Sequence, residues 1–170
     1  MDDLGRPIAT DTLRIMTSRS ASLSGSSSNK TNPGSPKEIV TLVTAGKRIQ
    51  AVLVGTRQLR LTAQIMLMKP KYYDPRKASQ LRDVLNKHEL VDDVMAGIKS
   101  IDRRTPGDEA EYAFICEVMG LRADAVEAFE KALAVAPDFD RVRLRFFETI
   151  AFDDTDKAIK ILQCVSPSEG

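Results

Sequence analysis

Apolar residues recur with the period of an α-helix along much of the chain. The first such stripe consists of Ile39, Val43, Ile49 and Leu53. It follows Ser35-Pro36, the start of a capping-box pattern in which the Ser35 hydroxyl would accept from the amide of Glu38. A second helical segment starts at Thr56 and runs to residue 68. β-Branched runs on both sides of Gly46 are also compatible with a β-hairpin, but the capping pattern favours helices here.

Six shorter stripes follow and are separated by turns of two to five residues. Their apolar positions lie within residues 78–85, 90–98, 112–119, 125–136, 139–150 and 158–165. Asp74-Pro75 and Thr105-Pro106 have the pattern of a helix N-cap followed by proline, and Gly120 has that of a helix stop. Connections this short make consecutive helices antiparallel. The pattern predicts an all-α fold in which the helices come in pairs.

The paired stripes repeat at a nearly constant period of about 34 residues. Ala125, Phe129 and Ala132 lie 34 residues after Val91, Met95 and Ile98, respectively. The same three residues lie 33 residues before Ala158, Leu162 and Val165. Within residues 106–139 a small–Gly–Ala–aromatic–Ala–Pro order is formed by Ala113, Gly120, Ala125, Phe129, Ala132 and Pro137. In these residues the chain resembles the tetratricopeptide repeat (TPR) family over residues 72–166, as three units of which the middle one is the clearest.

The resemblance implies a short right-handed solenoid of stacked helical hairpins. In the middle unit, small residues would let two helix backbones approach beside the Phe129 ring, and Gly120 can take the left-handed conformation that ends a helix. Phe129 is therefore expected to pack against the helix of residues 108–119 and the helix after Pro137. The outer units lack several of the family's residues, such as the glycine that Asn86 replaces, so a generic six-helix bundle stays open as the alternative.

The resemblance also implies a concave surface, made by the first helix of each pair, that holds an extended or helical peptide. In the family's register this partner-binding groove is lined by Tyr73, Arg76, Gln80, Phe114, Glu117, Arg141, Leu144, Arg145 and Glu148. Some family members bind a C-terminal carboxylate at positions that here hold Arg76, Gln80, Glu111, Arg141 and Arg145. Glu111 stands where an amide donor is expected and would repel such a carboxylate. The alternative is that the arginines form salt bridges with nearby acid-rich helices.

Charge is unevenly distributed along a chain of 170 residues whose net charge is only +1. Residues 37–71 hold seven Lys or Arg against one acid, whereas residues 105–170 hold seven against fourteen. The basic docking segment predicted from this excess comprises Lys47, Arg48, Arg57, Arg60, Lys69 and Lys71. It would bind an acidic partner, as in a structural subunit or a secretion-type chaperone, or a nucleic acid, although the interleaved apolar residues argue against nucleic acid. Attraction between the two oppositely charged parts within the fold is the other interpretation.

Composition divides the chain into three parts. Residues 1–35 are rich in Ser and poor in apolar anchors, which predicts a flexible, disordered segment before a basic helical segment (36–71) and the repeat domain (72–166). The chain begins without the apolar region of a secretory signal, so a cytoplasmic location is expected, while organelle import stays open. No apolar run reaches the roughly 18 residues of a membrane span. Cys116 and Cys164 lie in apolar helical patterns, which predicts buried thiols rather than a disulfide.

Few residues are suited to catalysis. His88 is the only histidine, which removes most catalytic Ser/His and Cys/His arrangements and all histidine-rich metal sites. Helix caps and solvated faces account for the acid pairs at 92–93 and 153–154, and no Gly-rich phosphate loop occurs. The sequence therefore predicts neither an enzyme nor a metal or cofactor site. It predicts an adaptor or scaffold that binds a peptide or helix of another protein, and it leaves the oligomeric state open.

Overall fold

The computed structural model describes residues 35–163, and all regular structure in that range is helical. The predicted all-α fold is confirmed to that extent. Within the range lie α1 (Pro36–Thr44), α2 (Arg48–Met68), α3 (Pro75–Lys87), α4 (Val91–Lys99), α5 (Pro106–Met119), α6 (Arg122–Val135), α7 (Asp140–Ile150) and α8 (Thr155–Gln163), with a 3₁₀ turn at Pro70–Tyr72. The predicted flexible segment 1–35 lies outside the described residues except for Ser35, and Cys164 lies outside them as well.

Residues 36–68 form two helices and not a β-hairpin. The Ser35 side chain caps α1, but it accepts from the amide of Lys37, at 3.2 Å. The amide of Glu38, which the capping-box pattern assigns to that side chain, donates instead to the Ser35 carbonyl at 3.0 Å. Between the helices Gly46 takes the left-handed conformation (φ 72°), which costs glycine little.

The long helix α2 is continuous, so the predicted start of a separate segment at Thr56 is wrong. Close packing favours glycine at position 55 of this helix. A Cβ atom on Gly55 would lie 2.9 Å from Leu85 Cδ2 on α3, 3.4 Å from Val94 Cγ2 on α4 and 3.8 Å from Ile39 Cδ1 on α1. The missing side chain lets these helices approach α2, which offsets the low helix propensity of glycine.

The first half of the described chain is built around α2. Helices α1, α3, α4 and α5 all pack against it, whereas α3 and α4 make only minor contacts with each other. Arg48 fastens the start of α2 by donating to the carbonyl of Glu89 at 2.7 Å and to Oδ2 of Asp93 at 2.8 Å. Helices α3 and α4 therefore do not form the self-contained hairpin that the sequence predicts as a first repeat unit, because each of them packs on α2 instead.

Helices α5 and α6 form the hairpin expected within residues 106–139. A reciprocal capping box begins α5: Thr105 Oγ1 accepts from the Asp108 amide at 3.1 Å, and Asp108 Oδ2 accepts from the Thr105 amide at 2.9 Å. Gly120 ends α5 in the left-handed conformation (φ 75°). Helix α7 then packs on α6, and α8 packs on α7.

The ring of Phe129 connects three of these helices. It is fully buried and lies 5.6 Å from the Phe114 ring of α5, in an edge contact, and 5.6 Å from the Phe146 ring of α7, at an interplanar angle of 27°. The predicted packing of Phe129 against the preceding helix and against the helix after Pro137 is confirmed. Such aromatic pairs add about 0.5–1.5 kcal/mol to the energy of burial.

Cys116 on α5 is fully buried, as the sequence predicts. Burial raises the pKa of its thiol from 9.0 to about 11, and a hydrogen bond with the Tyr112 hydroxyl lowers that pKa by a smaller amount. The folded protein therefore keeps this thiol protonated at pH values where the unfolded chain ionises it.

We expect the Cys116→Ala substitution to reduce the loss of stability at alkaline pH. The raised pKa contributes free energy of unfolding that is complete below about pH 9 and is lost as the pH rises through about 11. Over that interval the wild-type protein should lose up to about 2–3 kcal/mol more than the variant, at about 1.4 kcal/mol per pKa unit. Urea unfolding of both proteins at about pH 8 and about pH 11 measures the difference, in which titrating groups away from Cys116 cancel. Tyr112 does not cancel: Cys116 contributes to its raised pKa, so it adds to the difference in the same direction. Equal losses in the two proteins would contradict the assignment.

Candidate protein-docking surfaces

A charged cluster joins α5 to α7. Arg145 Nε donates to Glu117 Oε2 at 2.7 Å, and Arg145 Nη1 donates to Glu148 Oε2 at 3.1 Å. The Thr149 hydroxyl donates to the other oxygen of Glu117. Tyr73 lies beside the cluster: burial raises the pKa of its phenol, and the charges of Arg145 and Glu117 shift that pKa in opposite directions. Four predicted groove residues, Tyr73, Glu117, Arg145 and Glu148, are thus brought together.

The other five predicted groove residues differ in their surroundings. Phe114 does not line a surface, because its side chain is buried against Phe129 in the core. Arg141 Nη1 donates at 2.6 Å to the carbonyl of Leu67, near the end of α2. The remaining three are exposed, namely Arg76 and Gln80 on α3 and Leu144 on α7. Phe114 is therefore not part of an open groove, and Arg141 is engaged by α2.

Helix α2 occupies part of the expected groove. Arg60 Nε donates to Glu111 Oε1 at 2.6 Å, and Gln64 Nε2 donates to Glu111 Oε2 at 3.1 Å. Arg141 also bonds to α2. Two of the five residues at the family's carboxylate-binding positions, Glu111 and Arg141, are therefore already hydrogen-bonded to α2. The alternative prediction, that groove arginines pair with acids of the fold, is confirmed for Arg145.

The six cations of the basic docking segment differ in their surroundings. Arg48 pairs with Asp93, and Arg60 pairs with Glu111. The second of these pairs joins the basic segment to the acid-rich part, so the predicted attraction within the fold is confirmed for Arg60. Lys71 Nζ lies 4.9 Å from the ring centre of the neighbouring tyrosine. The other three are exposed and have no ion-pair partner among residues 35–163: Lys47, Arg57 and Lys69.

Helix α2 exposes a row of large apolar side chains to solvent. The exposed fraction is 79% for Ile49, 64% for Leu53, 52% for Leu61 and 67% for Met68. Residues about four positions apart lie on the same side of a helix, and Arg57 occupies the same side between Leu53 and Leu61. We call these five residues the α2 face. Helices of folded proteins normally turn their apolar side toward the core, which makes this face unusual.

The opposite, buried side of α2 explains why this face is free. It includes Ala51, Gly55, Leu59 and Ala63, which are spaced four residues apart. The predicted stripe from Ile39 to Leu53 is helical on both sides of the turn at Gly46, but Ile49 and Leu53 do not continue the buried side that starts at Ile39. Small residues at four-residue spacing are the sequence signal that marks the buried side, because they permit close helix approach.

Neither a metal site nor a membrane-spanning helix is found in the described part of the chain. Among residues 35–163, no group of three or more His, Cys, Asp or Glu side chains is placed to hold a metal ion. No helix in that range combines the length and apolar character needed to cross a membrane. Comparison with protein-family models, with curated proteins and with solved structures finds no match for the chain. The α2 face and the cluster around Arg145 are therefore the two surfaces from which a function is inferred.

Proposed function

We propose that this protein is a non-enzymatic interaction module, an adaptor or a subunit of a larger assembly, which binds another protein through the α2 face. The observation that carries the proposal is the exposure of four large apolar side chains along one helix. Full burial of such a side chain contributes about 1.5–3 kcal/mol, and contiguous apolar patches on folded proteins commonly mark interaction sites.

The second half of the described chain acts as a support for this surface. We propose that α5 to α8 are two stacked hairpins of a TPR-like solenoid. The nearly constant spacing of the apolar stripes and the packing of α6 against α7 support this arrangement. Because α2 packs on α5, the stack holds α2 from its buried side and leaves the α2 face accessible.

Peptide capture in the groove is the second candidate function. The exposure of Arg76, Gln80 and Leu144 favours it. Arg141 and Arg145, however, already bond to α2 and to Glu117, and a peptide would have to replace those bonds. The α2 face requires no such exchange, and for this reason it is the preferred docking surface.

The proposed function is tested by site-specific photo-crosslinking in cells of the source organism. The full chain carries a photoreactive amino acid in place of Leu53 in one strain and in place of Leu144, on α7, in another. We expect a discrete crosslinked protein from position 53 that mass spectrometry identifies, that is lost with Leu61→Asp, and that binds the purified chain. Crosslinks from position 144 alone would assign binding to the groove. The absence of any protein crosslink that depends on the α2 face would overturn the proposal.

A further inference from the structure

We infer that the α2 face binds an acidic amphipathic helix of the partner protein. This inference rests on the proposed function, which names the surface and leaves the chemistry of its occupant open. Three properties of α2 support it: its charge is positive, its apolar row has the length of a helix, and its other cations are already paired with acids of the fold.

The charge on α2 is of one sign only. The helix contains no Asp or Glu over its 21 residues. Three cations of the basic docking segment that have no ion-pair partner among residues 35–163 are distributed along it, with Lys47 at its N-cap, Arg57 near its middle and Lys69 at its C-cap. A partner helix with carboxylates along its flanks would meet a cation at each end and in the middle, whereas a basic helix would meet like charges.

The apolar row has the shape of a helix-binding surface. From Ile49 to Met68 it extends about 28 Å, at 1.5 Å per residue. The row lies on a single helix, so a second helix laid along it would match its apolar residues at spacings of three and four. A partner in extended conformation usually adds to a sheet edge, and no strand occurs among residues 35–163.

Nucleic acids and anionic membranes fit the surface less well. Binding to either depends on many cations acting together. The α2 face itself presents one cation among four large apolar side chains. Lys47 and Lys69 lie only at the two ends of the helix, and Arg48 and Arg60 are engaged by Asp93 and Glu111. Phosphate groups would leave the apolar row without a matching surface.

The inference is tested with three fluorescent synthetic helices and the full chain. The first peptide carries leucines at helical spacing with Glu along both flanks, the second has Lys in place of Glu, and the third has the composition of the first in scrambled order. Fluorescence anisotropy should show that the acidic helix binds at least about tenfold more tightly than either of the others.

Matched variants locate the binding on the α2 face. Leu53→Asp should weaken binding of the acidic helix about tenfold or more, whereas Leu144→Asp, at an exposed leucine of α7, should not. Arg57→Glu should reduce the preference for the acidic over the basic peptide several-fold, and Arg76→Glu on α3 should leave it unchanged. Because the side chains at all four positions are exposed, these variants should fold, which circular dichroism verifies.

Other occupants of the face would give different results. Binding of an oligonucleotide or of anionic phospholipid vesicles that depends on Arg57, without binding of the acidic helix, would overturn the inference. So would a concentration-dependent dimer, seen by sedimentation, that Leu53→Asp dissociates, since a second copy would then cover the face. Equal affinity for all three peptides would overturn it as well. If a crosslink from position 53 to another protein persists in any of these cases, the proposed function stands and only the class of partner is wrong.

Discussion

Replacing Phe129 with alanine should lower the free energy of unfolding by about 3–5 kcal/mol, which is a large share of the roughly 5–15 kcal/mol typical of a domain. The ring is fully buried, and it is in contact with the rings of Phe114 and Phe146 on the two neighbouring helices. Its removal leaves a cavity where α5, α6 and α7 meet, so the loss includes both burial and aromatic contacts.

A control of the same chemistry separates this effect from the general loss of a phenyl ring. Phe152, after α7, is 96% exposed, and Phe152→Ala should change the free energy of unfolding by no more than about 0.5 kcal/mol. Urea unfolding followed by circular dichroism measures both variants. A loss of less than about 1 kcal/mol in the free energy of unfolding of Phe129→Ala would contradict the central packing position of Phe129 between these helices.

The hairpin of α5 and α6 can be predicted from the sequence because its determinants are close together in the chain. The capping residues at 105 and 108, the left-handed Gly120 and the buried Phe129 all act within or between adjacent helices. Local signals of this kind give the same result in any arrangement of the surrounding chain. Their spacing therefore identifies both the turn and the buried side of each helix.

The position of α2 could not be predicted in this way. It depends on contacts between distant parts of the chain: Arg48 and Asp93 are 45 residues apart, and Arg141 and Leu67 are 74 residues apart. No local sequence pattern shows that α2, at Arg60, packs over α5 at Glu111. The expected first hairpin unit fails for the same reason, since α3 and α4 pack on α2 more than on each other.

Of the two candidate surfaces, only the polar cluster around Arg145 could be predicted from the sequence. Glu117, Arg145 and Glu148 lie together, as the resemblance implies, because Arg145 donates to both carboxylates. The α2 face was hidden by the assumption that apolar residues at helical spacing are buried. That assumption holds for Ile39 and fails for Ile49, and only the packing around Gly55 distinguishes the two.

Replacing Gly55 with leucine should lower the free energy of unfolding by about 3 kcal/mol or more. Overpacking a closed core typically costs about 1–3 kcal/mol, and here even the first added carbon would lie 2.9 Å from Leu85 Cδ2. The neighbours Leu85, Val94 and Ile39 belong to three helices and are fully buried, so none can move without opening another contact. This cost exceeds the gain of about 0.8 kcal/mol in helix propensity that leucine offers over glycine.

Gly97 on α4 provides the matched control for this prediction, because it is a helical glycine whose added Cβ would meet only Thr56 Oγ1, at 3.9 Å. It is exposed, so Gly97→Leu should leave the protein unchanged or stabilise it by up to about 0.8 kcal/mol. Urea unfolding of both variants, followed by circular dichroism, gives the comparison. If Gly55→Leu were as stable as Gly97→Leu, α3 and α4 would not pack closely on α2. The packing that turns the α2 face toward solvent would then be contradicted, and the proposed docking surface with it.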